Sequence, residues 1–513
     1  MATLAAGCLG GTGGERAERA ERAEKASRVS AVFETPEPYS ARTLDTTDLA
    51  QFITRHPDYR ADSARMADFY ARRDRQFAWF VRDSLTASAD AFIVLSGLKG
   101  YDADERPVGC DSCAMESELT LTAEFFRFAA RKYGGHFTQD LRDLDWFIPR
   151  AKRDIAQLMD SLAAGTMDLS AYEPLHPQYK LLRDAFRHLS ALSDVAWPEL
   201  ALREGARSIK PGDSAQVLVD IRERLRLLSD LASLDSAPML DSMLVTSVQR
   251  FQERHGLATD GVIGPAFLRE LNVPPAVRLR TLLVNMERMR WLPETQPANA
   301  LLVNIPEFRL HVFEGDTEAF SMRIVVGAAA THTVIFADTL TQIVMSPTWT
   351  VPMSITRGEI LPAIAKNPNY LREHNMEIIG GSKALPVIRQ RPGPGNALGR
   401  VKFLFPNRFD IYMHDTPSRG AFALEKRAFS HGGIRLADPT ALAEYLLADD
   451  PEWPKDRIGR VMLGGRETTV KLSQPRPVFI LYFTAWVTSE GRLNFRDDVY
   501  GHDRTLANEL FRS

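Results

Sequence analysis

A multidomain α+β architecture follows from three features of this 513-residue sequence. Apolar residues recur at helical spacing over residues 31–236, a short unit punctuated by Gly and Pro spans Asp241 to Leu271, and from Ala300 the hydrophobic period drops from 3.6 to 2. The reading is a helical N-terminal scaffold, a small three-helix domain and a mostly-β C-terminal domain interrupted by an insertion. A chain this long exceeds what one hydrophobic core supports, so about three domains are expected.

Residues 1–30 read as a disordered tether, because glycines followed by repeated Glu-Arg-Ala form a low-complexity polar run. Met1 to Cys8 ends like the small-residue cleavage site of a secretory leader, with Cys8 placed for a lipid anchor, yet a charged start and an apolar core are missing. Residues 31–236 form the expected helical scaffold. Asp62 to Asp83 carries Met66, Phe69, Tyr70, Phe77, Trp79 and Phe80, partly at helical spacing, and Leu119 to Thr122 is read as the cap of a helix through Phe125, Phe126 and Phe128.

Residues 237–275 are the next domain. Leu244, Val245, Val248 and Phe251 share a helical face, Gly256 stops that helix, Asp260-Gly261 turns, and Pro265 opens a second helix where a missing N–H costs nothing. Residues 276–299 are expected to be a linker helix. In residues 300–513, Leu301–Ile305, Phe308–Phe313, Ser321–Val326 and Gln342–Met345 read as strands. The insertion, residues 354–399, holds a short helix (Arg357–Lys366), and the density of Pro and Gly in the run Arg389 to Gly395 predicts an irregular loop. Asp438-Pro439 caps and starts a helix to about Leu447, and Pro477–Val487 reads as a buried central strand.

Chemistry concentrates between Arg408 and Leu436. Phe409 to Met413 is expected to be a strand delivering His414, Asp415 to Ser418 a turn, and Ser430-His431-Gly432-Gly433-Ile434-Arg435 a tight loop. This stretch resembles the signature of the L,D-transpeptidases with a YkuD-type catalytic domain: a His, a spacer of this length, then Ser/Thr-His-Gly-Cys, an apolar residue and Arg or Asn. Phe251-Gln252, Gly256-Leu257, Asp260-Gly261 and Ile263-Gly264-Pro265 resemble the core of peptidoglycan-binding type 1 domains. Asn285, Glu287, Arg288 and Arg290 to Pro293, together with Asn494 to Gly501, resemble the large YcbB-like murein subfamily.

The resemblance implies a cysteine acyltransferase that attacks a tetrapeptide stem before its terminal D-alanine, forms a thioester and passes it to a neighbouring stem as a 3-3 cross-link. It implies His414 as proton acceptor helped by Asp415, His431 and the Gly432-Gly433 N–H groups shaping the oxyanion pocket, Ser430 serving the loop, and Arg435 bracing the loop or a substrate carboxylate. It implies a lid over residues 354–399. Trp349, Lys383, Arg389, Arg391, Arg400 and Asp415 are candidates for contact with the stem peptide. Gly433 stands where that family has its nucleophilic Cys, and glycine carries neither a thiolate nor an acyl group.

The expectation is therefore a peptidoglycan-associated protein of the cell wall whose catalysis is impaired. The alternatives are an active transpeptidase whose Cys was lost here by mutation or error, and a hydrolase using His414. The setting implied is the periplasm or envelope of a Gram-negative-type bacterium, with stem peptides as partner. No cofactor and no metal is expected from the signature. A net charge of −3 argues against a nucleic-acid partner, and no run approaches the length of a transmembrane helix. Cys110 and Cys113 form a C-x-x-C, read as a loop disulfide or two free thiols since no second pair completes a zinc set.

Overall fold

The change of period at Ala300 becomes a change of architecture in the structure, a computed structural model that describes residues 42–511 apart from 46, 82–83, 97, 99–110, 138, 151–154, 164–175, 233–236 and 294–296. The expected tether, Cys8 and Cys110 lie outside the described residues. Cys113 is disulfide-bonded. The chain divides into two units, Met1–Gly134 with Lys152–Glu173, and Gly135–Ala151 with Pro174–Ser513.

The first unit is helical, with helices Asp48–Arg55, Ser63–Arg72, Ala87–Ser96, Asp111–Gly134 and Ile155–Ala163 and a small hairpin of β1 (Phe80–Val81) and β2 (Ser84–Leu85). Its core is aromatic: Phe52, Phe69, Trp79, Phe92, Phe125 and Phe126 are all fully buried. The apolar run from Asp62 is not one helix, because Asp74 and Arg75 take left-handed φ values of 52° and 62° and turn the chain into the hairpin. Nor does a helix begin at Leu119 to Thr122. The helix already runs from Asp111, and Thr122 lies in its interior, where its Oγ1 donates to the Glu118 carbonyl at 3.0 Å and accepts from Trp79 Nε1 at 2.9 Å. Back-bonding to residue i−4 satisfies the hydroxyl without ending the helix.

In the second unit, helices Val217–Leu227, Ser242–Arg254 and Pro265–Leu271 share one core, into which Leu218, Ile221 and Leu225 project from upstream of the boundary expected at 237. Asp241 caps the middle helix by accepting from Leu244 N–H at 2.8 Å. Gln252 ties the turn, donating to Asp260 Oδ1 and the Val262 carbonyl and accepting from Gly261 N–H. Helix Pro275–Met289 is more than a linker. Asn285, Glu287 and Arg288 are buried, and each finds partners: Thr484 Oγ1, the N–H groups of His136 and Phe137, and Asp503 Oδ1. The bonds of Asn285 to Thr484 and of Arg288 to Asp503 fix the helix against the β domain.

The β domain contains β3 (Leu301–Asn304), β4 (Arg309–Glu314), β5 (Thr317–Gly327), β6 (Phe336–Met345), β7 (Trp349–Thr350), β8 (Met376–Gly381), β9 (Pro386–Gln390), β10 (Val401–Leu404), β11 (Met413–His414), β12 (Ala428–Ser430), β13 (Ile434–Leu436), β14 (Thr468–Leu481), β15 (Ala485–Val487) and β16 (Leu493–Phe495). Nine of them run β12-β5-β13-β11-β10-β6-β14-β3-β4, and β4 also pairs β5, so the ladder closes on itself through β5. Closure removes an open edge. β14 is central, parallel to β3 and antiparallel to β6, but it ends at Leu481; Ala485–Val487 turns away to pair β16. Between β6 and β10 the insertion is not an irregular loop. It folds as a three-stranded sheet, β7-β9-β8, over a small core of Val351, Ile355, Ile360 and Ile388. Its helix is wound as a π-turn at Thr356–Ile360 before Leu361–Lys366, where Pro362 cannot supply the regular N–H.

Candidate active site

His414 sits on a strand of only two residues. Asp410, with a left-handed φ of 54°, breaks the expected Phe409–Met413 run, and pairing resumes at Met413. β11 lies between β10 and β13, so register sets Lys402 and Arg435 on either side of His414. Burial pushes the His414 imidazole down to about 4; the neighbouring Arg435 and Lys402 charges add to this, and the bond to the Asp415 carbonyl opposes it. The ring is therefore neutral near pH 7. Its Nδ1 lies 2.6 Å from the Asp415 carbonyl oxygen, a bond it makes as donor, which leaves the lone pair on Nε2.

That lone pair faces Gly433. A Cβ built on Gly433 falls 3.4 Å from His414 Nε2 and 3.7 Å from the Tyr412 carbonyl, ordinary contacts, and the backbone there is not left-handed. Position 433 thus has room for a side chain pointing at the histidine and has none. Gly432 is different: its φ of 109° belongs to glycine. Ser430 is buried and fully engaged, donating to the Gly433 carbonyl at 2.5 Å and accepting from Gly432 N–H at 3.2 Å. Gly432 N–H is consequently committed to the loop, whereas Gly433 N–H has no partner among the described residues.

The remaining sequence-predicted residues divide. Arg435 is near His414; its Nε is buried without a hydrogen bond, and desolvation lowers its pKa. Trp349 lies close to the Tyr412 hydroxyl beside the site. His431 is half-exposed and turned toward the insertion, with Nε2 2.8 Å from Glu359 Oε1. Arg389 and Arg391 do not converge on the site; both grip Glu377, at 2.8 and 2.5 Å. Asp415 is buried and braces backbone, accepting from Arg400 N–H at 2.9 Å and Thr416 N–H at 2.7 Å. The Arg400 side chain and Lys383 are exposed.

Two contributors carry no warning in the sequence. Lys402 is one, its pKa lowered by burial. The other is the loop after β5: Thr331 Oγ1 donates to the Ser430 carbonyl and Thr333 Oγ1 to the Gly432 carbonyl, both at 2.8 Å. A Thr-His-Thr run between strands carries no local signal of that task. A cleft of about 1930 Å³ elsewhere in this unit is lined by Glu253, Glu307, His311, Arg427 and Arg496 and excludes His414 and Gly433.

Residues 298–465 match the L,D-transpeptidase catalytic domain (YkuD), residues 64–186 a scaffold domain, and residues 219–271 a family described as "Putative peptidoglycan binding domain". A Haemophilus influenzae protein named "Putative L,D-transpeptidase" is 31% identical over 241 residues, covering 44% of this chain and 48% of that protein. The chain thus spans about half the length of the curated relative it matches. Among solved structures, an L,D-transpeptidase of Xylanimonas cellulosilytica (12% identity, 55% of this chain and 100% of the other, TM-score 0.18) and one of Stackebrandtia nassauensis (15%, 56% and 97%, 0.22) are similar. Global likenesses this low establish nothing about arrangement. On the sequence matches, the chain carries a YkuD-type L,D-transpeptidase catalytic domain together with a putative peptidoglycan-binding domain, and over part of its length it is homologous to a protein named as a putative L,D-transpeptidase.

Proposed function

We propose that this protein is a peptidoglycan-binding member of the cell envelope, of a Gram-negative-type periplasm, whose transpeptidase pocket is assembled but lacks its nucleophile. The observation that carries this reading is Gly433 facing Nε2 of a neutral, buried His414. In a chain with Cys at that position, Nε2 would take the thiol proton, sulfur would attack the stem carbonyl, and Gly433 N–H would meet the developing oxyanion. The unpaired Arg435 Nε suits a carboxylate of the stem. Without sulfur the first covalent step has no donor, and losing a nucleophile costs on the order of 10⁶ in rate.

Ser430 does not substitute, since its proton is held by the Gly433 carbonyl. Water activated by His414 is the competing chemistry. The test is incubation with tetrapeptide-stem muropeptides, read by mass spectrometry, alongside co-sedimentation with purified sacculi. The expected result is sedimentation with no release of D-alanine. Release of D-alanine without cross-linked dimers would establish hydrolysis instead, and failure to sediment would remove the binding role.

A further inference from the structure

Outside the catalytic pocket, one cluster of metal-ligating groups has no assigned task. Asp145, His332 and His502 converge from three separate segments of the second unit, and their candidate ligand atoms lie within 4.8 Å of one another. Asp145 Oδ2 is 2.6 Å from His332 Nδ1 and 3.4 Å from His502 Nε2. His502 is only 5% exposed, and its Nε2, although 3.4 Å from this carboxylate, makes no hydrogen bond. A buried imidazole nitrogen without a hydrogen bond is an exception that asks for a ligand.

We infer that Asp145, His332 and His502 form a binding site for a divalent transition-metal cation of the zinc class. Two imidazoles and one carboxylate suit such borderline ions, and three protein ligands leave a position for water. Ligands at about 2.0–2.1 Å in a tetrahedral site are roughly 3.4 Å apart. The Asp145–His502 separation already has that value. The Asp145–His332 pair opens by less than about 1 Å as its shared proton leaves to solvent and the cation takes its place. Asp145 and His332 are each partly exposed, which gives the ion a way in and room for its water.

The surroundings hold these ligands as an outer shell would. The His332 ring stacks on Tyr500 at 4.1 Å, the Tyr500 hydroxyl donates to the Gly327 carbonyl at 2.7 Å, and His502 packs edge-on against His332 and Tyr482. His332 stands between Thr331 and Thr333, the two residues that hold the Ser430 and Gly432 carbonyls. Occupancy would pin the catalytic loop from behind and join it to the segment at Asp145 and to helix His502–Leu510.

The test uses the full chain without a histidine tag, stripped with chelator and dialysed against Zn²⁺. One equivalent retained per chain and a raised melting temperature are expected. Asp145→Asn and His332→Gln, both at partly exposed positions, should each weaken retention at least tenfold while circular dichroism shows them folded. Co²⁺ in place of Zn²⁺ should give the intense visible bands of a tetrahedral site in the native chain only. Equal retention by native chain and variants, or no retention above the buffer, would overturn the proposal and leave the cluster as a hydrogen-bonded Asp–His pair beside a buried histidine.

Discussion

At the scale of single residues, two adjacent glycines have opposite reasons to be glycine. Gly432 needs its φ of 109°, so Gly432→Ala should destabilise the β domain by about 1–3 kcal/mol, measured by denaturant unfolding. Gly433 has no such need, and Gly433→Cys should leave that stability nearly unchanged. His414 supplies a second expectation. Its pKa in the folded chain is depressed to about 4, below the ordinary 6.5, so the folded state resists the proton that the unfolded chain accepts. Stability from this group is present above pH 6.5 and is lost as pH falls toward 4, on the order of 3 kcal/mol at most. An NMR titration of the His414 ring should show it neutral down to about pH 4; a midpoint near 6.5 would contradict the burial argument.

Among elements, helix Asp111–Gly134 carries the clearest pH signature. Burial raises the Glu118 carboxyl to about 7, although the Ala78 and Trp79 N–H groups and the Tyr70 hydroxyl all donate to it. Here the folded pKa lies above the unfolded one, so the sign reverses: the contribution is full below about 4.5 and is lost as pH rises through 7. Chemical unfolding of the first unit should show lower stability at pH 8 than at pH 5, and Glu118→Gln should flatten that difference. Sequence reasoning found this helix but misplaced its start, because Thr122 looks like a cap until its back-bond to Glu118 is seen. The insertion was legible as an insertion and not as a sheet. Pro392 to Gly395 do form turns, but Arg389 and Gln390 extend into β9, and their pairing with β7 is a contact between distant segments that local composition does not encode. His414, Ser430 and Gly433 lie together in the structure, as their spacing within the signature-like stretch implied. Arg389 and Arg391, candidate substrate contacts in the sequence, are both engaged by Glu377 on the neighbouring strand.

Across the second unit, the peptidoglycan-binding fold is held against the β domain by specific polar contacts. Arg496 Nη1 donates to the Arg254 carbonyl at 2.9 Å, and the His255 ring stacks on Phe495 at 5.7 Å. Arg496→Ala should therefore raise hydrogen exchange in helix Ser242–Arg254 while leaving β6 and β14 protected; unchanged exchange would show that the contact holds nothing. In the same unit His414 and the Ser430–Gly433 loop are in place while position 433 offers the histidine no side chain. The direct measurement is intact-protein mass after exposure to a tetrapeptide-stem muropeptide, for the native chain and for Gly433→Cys. No adduct is expected on the native chain and, on the variant, a mass gain equal to the stem acyl group without its terminal D-alanine. An adduct on the native chain, or none on a folded variant that still binds the muropeptide, would contradict this expectation.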